Sequence, residues 1–217
     1  MNSPASLAEH FDDPEQQREA AALGMWVFLG AEIIFFGAII VSYVYYRSAF
    51  PRDFGLASNH TKISLGTVNT AVLLTSSLFV ALSVHAAGKE RSRAVVRNLL
   101  VTIALGIAFL GIKFTEYTEE YGEHLFPDSG FRIAGVDPSH AKLFFLFYFI
   151  MTGIHALHVL IGIILLAVIA WRASGGAYTR QNHNAVEVSG LYWHFVDVVW
   201  IFLFPLIYLL GRHIPHG

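Results

Sequence analysis

Five apolar runs, each long enough to cross a bilayer, limit what this 217-residue chain can fold into. A helix needs about 20 residues to span the hydrocarbon layer. The runs lie near Gly24–Tyr46, Ile63–Ala87, Val95–Tyr117, Lys142–Trp171 and Glu187–Gly211. None shows the alternation of apolar and polar residues that a membrane barrel requires. The expected fold is therefore all-α: a polytopic membrane protein with a bundle of five transmembrane helices in residues 24–217, after a polar segment at 1–23. Composition agrees. The chain is 55% hydrophobic and 14% charged, whereas a soluble domain carries about 25% charged residues.

Charge and cysteine usage remove several function classes. The net charge of −2 gives no basic surface for nucleic acid or for an anionic membrane. There is no cysteine, which excludes disulfides, thiolate metal sites and cysteine nucleophiles. Glu9, Asp12, Asp13, Glu15 and Glu19 occupy the region where a cleavable signal would be basic. The first span is thus expected to serve as an uncleaved anchor.

The connections carry breakers and a weak charge bias. "RSAFPRDFGLASNHTK" holds Pro, Gly and Asn and reads as a loop. With the N-terminus inside, the inner segments hold Arg18, Lys89, Arg91, Arg93, Arg97, Arg172 and Arg180. The outer ones hold Arg47, Arg52, Lys62, Arg132, Lys142 and Arg212. The dense cluster in "GKERSRAVVR" selects a cytoplasmic N-terminus and an outside C-terminus. Trp26, Tyr46 and Trp171 fall near span ends, where amphipathic rings prefer to lie.

The chemistry rests on polar residues inside the spans. Glu32 is the only charged residue in "FLGAEIIFFGAII", with Phe35 and Phe36 one turn on. An ionisable group at that depth is costly and marks a functional candidate. The bland reading is a protonated carboxyl that donates one hydrogen bond to a neighbouring helix. Asn69, Ser76 and Ser83 recur every seven residues, with Thr70 and Ser77 beside them. Small polar residues let membrane helices approach closely, so this stripe reads as a packing face. Lys113, Glu116, Tyr117 and Glu120 share a face near the end of the third span. Lys113 and Glu116 are spaced to pair, but the preferred reading is snorkelling of long side chains to the water boundary.

Histidines raise the sharper alternatives. "TGIHALHVLIG" puts Thr152, His155, His158 and Gly162 on one stripe, and "EVSGLYWHFVDVVW" puts Glu187, Gly190, His194 and Asp197 on another. His194 and Asp197 are three apart, so an imidazole–carboxylate bond is expected. From spacing alone these histidines could ligate haem, bind a metal with Glu187 or Asp197, relay protons with Glu32, or be satisfied interior groups that join helices.

Taken together, the motifs resemble one family, subunit III of the haem–copper terminal oxidases. "YWHFVDVVWIFLF" (Tyr192–Phe204) resembles the family's last-helix signature, and "GIHALHVLIG" (Gly153–Gly162) its paired-histidine helix. "NTAVLLTSS" (Asn69–Ser77) resembles its Asn-Thr helix. "AEIIFFGAI" (Ala31–Ile39) resembles the helix with its buried glutamate, and Glu116–Tyr117 matches the counterpart in the third span. His183 and Glu187 also match the pattern before the last helix.

The resemblance implies a non-catalytic accessory subunit of a proton-pumping aa3-type cytochrome c oxidase, five-helix bacterial form, in the cell inner membrane. Haem a and copper then belong to partner subunits, and this chain holds no metal and no catalytic residue. Its partners are subunit I as main contact, subunit II, bound phospholipid, cytochrome c as donor to the complex, and a supercomplex with a quinol-oxidising enzyme. No nucleic acid is implied. The subunit is expected to sustain proton uptake and turnover stability during O₂ reduction to water. Glu32 matches the family's carbodiimide-reactive glutamate, and the pump runs without it. Asn69, Glu116, His155, His158, His183, Glu187, His194 and Asp197 become structural or lipid-contacting groups. Lys113 departs from the family pattern, where a glutamine is expected. The alternatives are subunit III of a quinol oxidase, a nitric-oxide-reductase accessory protein, and, from another class, a stand-alone proton-coupled transporter using Glu32. Such transporters show internal repeats or broken helices at the midplane.

Overall fold

A computed structural model describes residues 13–209 apart from 129, 132, 134, 135, 177 and 179–182. Arg132, Arg180, Arg212 and the expected end of the fifth span at Gly211 lie outside the described residues. Among those described there are six α-helices and no strand: α1 (Pro14–Ala49), α2 (Pro51–Ser58), α3 (Ile63–Ala87), α4 (Ser92–Gly122), α5 (Pro138–Ser174) and α6 (Asn184–Phe204). A π-helical turn, Pro205–Leu209, extends α6. Five of the segments are long and apolar enough to cross a membrane, as the sequence predicted.

The helices run further than the apolar runs, and local signals explain why. Helix α1 starts ten residues before Gly24, inside the segment read as polar. Asp13 caps it by accepting from the Gln16 backbone N–H at 2.7 Å, and Pro14 takes the first turn. Asp137 caps α5 by accepting from the Ser139 N–H at 2.8 Å, ahead of Pro138. That backbone bond holds the Asp137 carboxyl below the usual carboxylate range. Hydropathy marks the apolar centre of a helix, not the polar turns that its caps support. Helix α2 was not expected, because Pro51 read as a breaker. It serves instead as a helix start.

Helices α3, α4, α5 and α6 close into a ring, with α3 packing on α4, α4 on α5, α5 on α6 and α6 back on α3. Two glycines bring the ring together. A Cβ on Gly106 of α4 would sit 2.8 Å from the Trp193 ring, and one on Gly162 of α5 would sit 2.9 Å from it. The Trp193 indole therefore fills the space that the two missing side chains leave. Helix α1 lies outside this ring, against α6 and α5. Only 17% of its most apolar window is buried by the chain, against 50% for the last span. Trp26, Ile33, Ile34, Val41 and Tyr45 all face outward.

At the α1 C-terminal end the packing is tied by specific bonds. The Tyr43 hydroxyl donates to the Leu206 carbonyl at 3.0 Å. His140 stacks on Phe50 and meets Asp53 at 2.5 Å, fixing α2 to α5. Pro205 lacks the N–H that would continue the α6 ladder, and the chain widens there into the π turn. That turn carries Tyr208 into the interior, fully buried.

Candidate functional site

Polar side chains enter the membrane interior as three separate groups, and they do not converge on one centre. The first is the seam between α3 and α6. Trp193 Nε1 donates to Ser76 Oγ at 3.0 Å, Trp200 Nε1 donates to Thr70 Oγ1 at 3.0 Å, and His194 Nδ1 meets Ser77 Oγ at 2.6 Å. Ser76 and Ser83 are fully buried. Within the seven-residue stripe Ser76 alone bonds to α6, Ser83 Oγ donates to the Val80 carbonyl of its own helix, and the other two bonds to α6 use Thr70 and Ser77 beside the stripe. Asn69 is also fully buried, but neither of its side-chain polar atoms has a hydrogen-bond partner.

The expected His194–Asp197 bond does not form. His194 turns its Nδ1 to Ser77, and the Asp197 Oδ1 is buried without a partner. Spacing of three places two residues on one face but does not aim them at each other. Here Ser77, from the facing helix, offers His194 a shorter route.

The second group lies on the seam between α1 and α5. Glu32 and His158 approach, with Oε2 and Nε2 3.2 Å apart. The oxygen makes no hydrogen bond of good geometry, so the contact is electrostatic. His158 Nδ1 lies 2.9 Å from the Ile154 carbonyl, an acceptor that requires the hydrogen on Nδ1. A neutral His158 then offers Glu32 only a lone pair. Phe36 packs edge-on against the His158 ring at 5.2 Å, and Phe35 is 46% exposed.

The third group corrects the snorkelling reading. Lys113 is 2% exposed, and Glu116 and Glu120 are fully buried. Lys113 Nζ donates to Glu116 Oε2 at 2.9 Å, to the Tyr148 hydroxyl at 2.9 Å and to the Tyr208 hydroxyl at 3.0 Å. Tyr208 in turn donates to Glu116 Oε1 at 2.8 Å. The ammonium also lies 4.7 Å from the Tyr148 ring centroid and 4.8 Å from that of Tyr117. The Tyr117 hydroxyl pairs with Thr152 at 2.6 Å. Helix α4 continues five residues past Tyr117, so Lys113 sits too far from the helix end for its stem to reach water. The two tyrosines that hold it come from α5 and the π turn, and no local pattern around Lys113 announces them.

The remaining candidates are scattered. His155 is fully buried between the rings of Phe109 and Trp200, and neither of its nitrogens has a partner. His183 Nε2 and Glu187 Oε1 lie 3.1 Å apart at the start of α6, with Glu187 43% exposed. Outside the spans, Lys62 bridges to Glu119 and Glu123. The Glu119 hydrogen bond raises the Lys62 ammonium above its usual range. Among the described residues, no three His, Asp or Glu side chains lie close enough together to hold a metal ion.

Against known proteins, the chain matches the family described as cytochrome c oxidase subunit III over residues 12–212. It is similar to cytochrome c oxidase subunit 3 of Thermostichus vulcanus, 32% identical over 93% of this chain and 92% of that one. It is 36% identical to the protein of the same name from Synechocystis sp., over 96% of this chain and 82% of the relative. Quinol oxidase subunit 3 of Bacillus subtilis is 31% identical over 87% of this chain and 86% of that one.

Proposed function

The chain belongs to the cytochrome c oxidase subunit III family, and from that premise we propose that it is the non-catalytic accessory subunit of a proton-pumping aa3-type cytochrome c oxidase. The observation that carries this reading is how the interior polar groups are used. His194 and Ser77 join α6 to α3, His158 and Glu32 join α5 to α1, and Lys113 joins α4 to α5 and the π turn through its tyrosines. These side chains connect helices. In this reading the haems and copper sit in subunits I and II, and subunit I covers part of the apolar surface that α1 leaves open. The N-terminus is cytoplasmic in the bacterial inner membrane. Cytochrome c is the electron donor.

Phospholipid binding belongs to the same proposal. An open groove of about 590 Å³ runs between the start of α4 and the end of α5, with Arg93 and Arg97 beside Val96, Leu100, Val101 and Ala104. Two guanidinium groups at the mouth of an apolar floor suit an anionic headgroup with its acyl chain.

Native purification through a tag on this chain tests the proposal. Subunits I and II are expected to co-purify, and the preparation is expected to consume O₂ with reduced cytochrome c. Turnover with a quinol alone selects the second reading, a quinol oxidase, which the likeness to the Bacillus subtilis protein favours. Recovery of the chain without subunit I contradicts both.

A further inference from the structure

The Lys113 cluster contains one cation and two carboxyls, and its hydrogen bonds account for only one of the carboxyls. A lysine ammonium has three donors. All three are used, on Glu116, Tyr148 and Tyr208. Glu116 accepts at both oxygens, one bond from Lys113 and one from Tyr208. Glu116 and Lys113 thus form a neutral, fully bonded pair. Glu120 lies one turn along the same face of α4. It is fully buried, and neither of its oxygens makes a hydrogen bond of good geometry, the Tyr148 hydroxyl being the neutral donor that faces it.

The charged and titratable groups that face Glu120 are Glu116, Lys113, Tyr117 and Glu123 from α4, Tyr148 from α5 and Tyr208 from the π turn. Two of them are acids that repel a second negative charge. The one cation has no donor left. Tyr148 accepts from Lys113 and keeps its own hydroxyl hydrogen, a single neutral donor. An ionised carboxylate buried without a cation bonded to it or a full set of donors is among the most costly groups a protein can hold, and such a group neutralises instead.

We infer that Glu120 is a proton-binding site, held in the folded chain as a neutral acid beside the Lys113–Glu116 pair. The ligand is a proton, which the aqueous phase at the α4 C-terminal end supplies. Glu119 and Glu123 are partly exposed there and tied to Lys62. The site makes the packing of α4 on α5 depend on pH. Unfolding exposes Glu120, which then loses its proton above the ordinary carboxyl range of about 4.3. Alkaline conditions therefore favour the unfolded state, and an amide at this position removes that dependence.

The test is Glu120→Gln in the full chain, in its native complex, read by infrared difference spectroscopy against wild type. The expected result is loss of one protonated-carboxyl C=O band at neutral pH, with wild-type yield and a thermal midpoint that falls less as pH rises. Glu116→Gln is expected to remove no such band. Three outcomes overturn the inference: a folded Glu120→Gln protein that loses no acid band at neutral pH, a band that appears only below the ordinary carboxyl range, or failure of Glu120→Gln to accumulate. The last would mean that Lys113 needs a second carboxylate, since an amide reproduces the shape of a neutral acid.

Discussion

The Lys113–Glu116 and Glu32–His158 contacts both lie within long apolar helices, and they are built differently. Glu116 and Lys113 sit inside the closed ring of helices, fully buried, with both carboxylate oxygens and all three ammonium hydrogens bonded. Glu32 and His158 sit at the edge, where α1 lies against the ring, and one poorly aligned contact joins them. The Glu32 side chain is 19% exposed and that of His158 12%. Inside the ring the chain neutralises its own charge, because nothing else can reach it. At the α1 seam the pair stays partly open to whatever covers α1. A charged residue in a membrane helix thus carries a different obligation according to whether its own chain or a neighbour encloses it.

Breaking the interior pair should have the largest effect. Lys113→Met leaves the Glu116 carboxylate buried without its cation, at a cost of about 3–5 kcal/mol. The expected outcome is a collapse in the yield of this chain in membranes. The double variant Lys113→Met/Glu116→Gln should recover a large part of that loss, and yields from the four proteins of the cycle measure the coupling.

Crowding the ring comes next. Gly106→Val places a side chain where the Trp193 ring already sits. Overpacking of this kind costs about 1–3 kcal/mol, and moving the indole also strains its bond to Ser76. A lowered thermal midpoint of the detergent-solubilised protein checks it. A smaller change is Thr70→Val, which keeps the shape of the side chain and removes the oxygen that accepts the Trp200 indole N–H. Interhelical hydrogen bonds in membranes average about 0.6 kcal/mol, so the same thermal assay should register a minor shift.

The smallest effect belongs to the edge. Glu32→Gln keeps the shape of the side chain and is expected to leave O₂ consumption by the complex mostly intact. Its effect on yield should fall well below that of Lys113→Met. Equal losses from the two would erase the distinction between an enclosed pair and an open one.

The sequence revealed the spans and much of their inner surface, because hydropathy and helical spacing are local properties. Asn69, Ser76 and Ser83 were legible as a buried stripe for that reason. What spacing could not supply was direction across helices. His194 and Asp197 share a face, yet His194 bonds Ser77 on α3. Lys113 read as a snorkelling residue because α4 was expected to end at Tyr117, and the helix runs on to Gly122. Its tyrosine partners are 35 and 95 residues away in the chain. One of them is aimed by a π turn that Pro205 forces. A lysine inside a long apolar run, followed three residues later by a glutamate, was the signal available for an enclosed ion pair.

In the proposed reading the polar interior of this chain joins helices and neutralises charge, while the redox groups belong to its partners. A reduced-minus-oxidised visible spectrum of the chain purified alone, beside that of the native complex, tests it most directly. A colourless chain and a haem spectrum in the complex are the expected result. Haem bound to the isolated chain would make His155, His158 or His194 ligands and would contradict it.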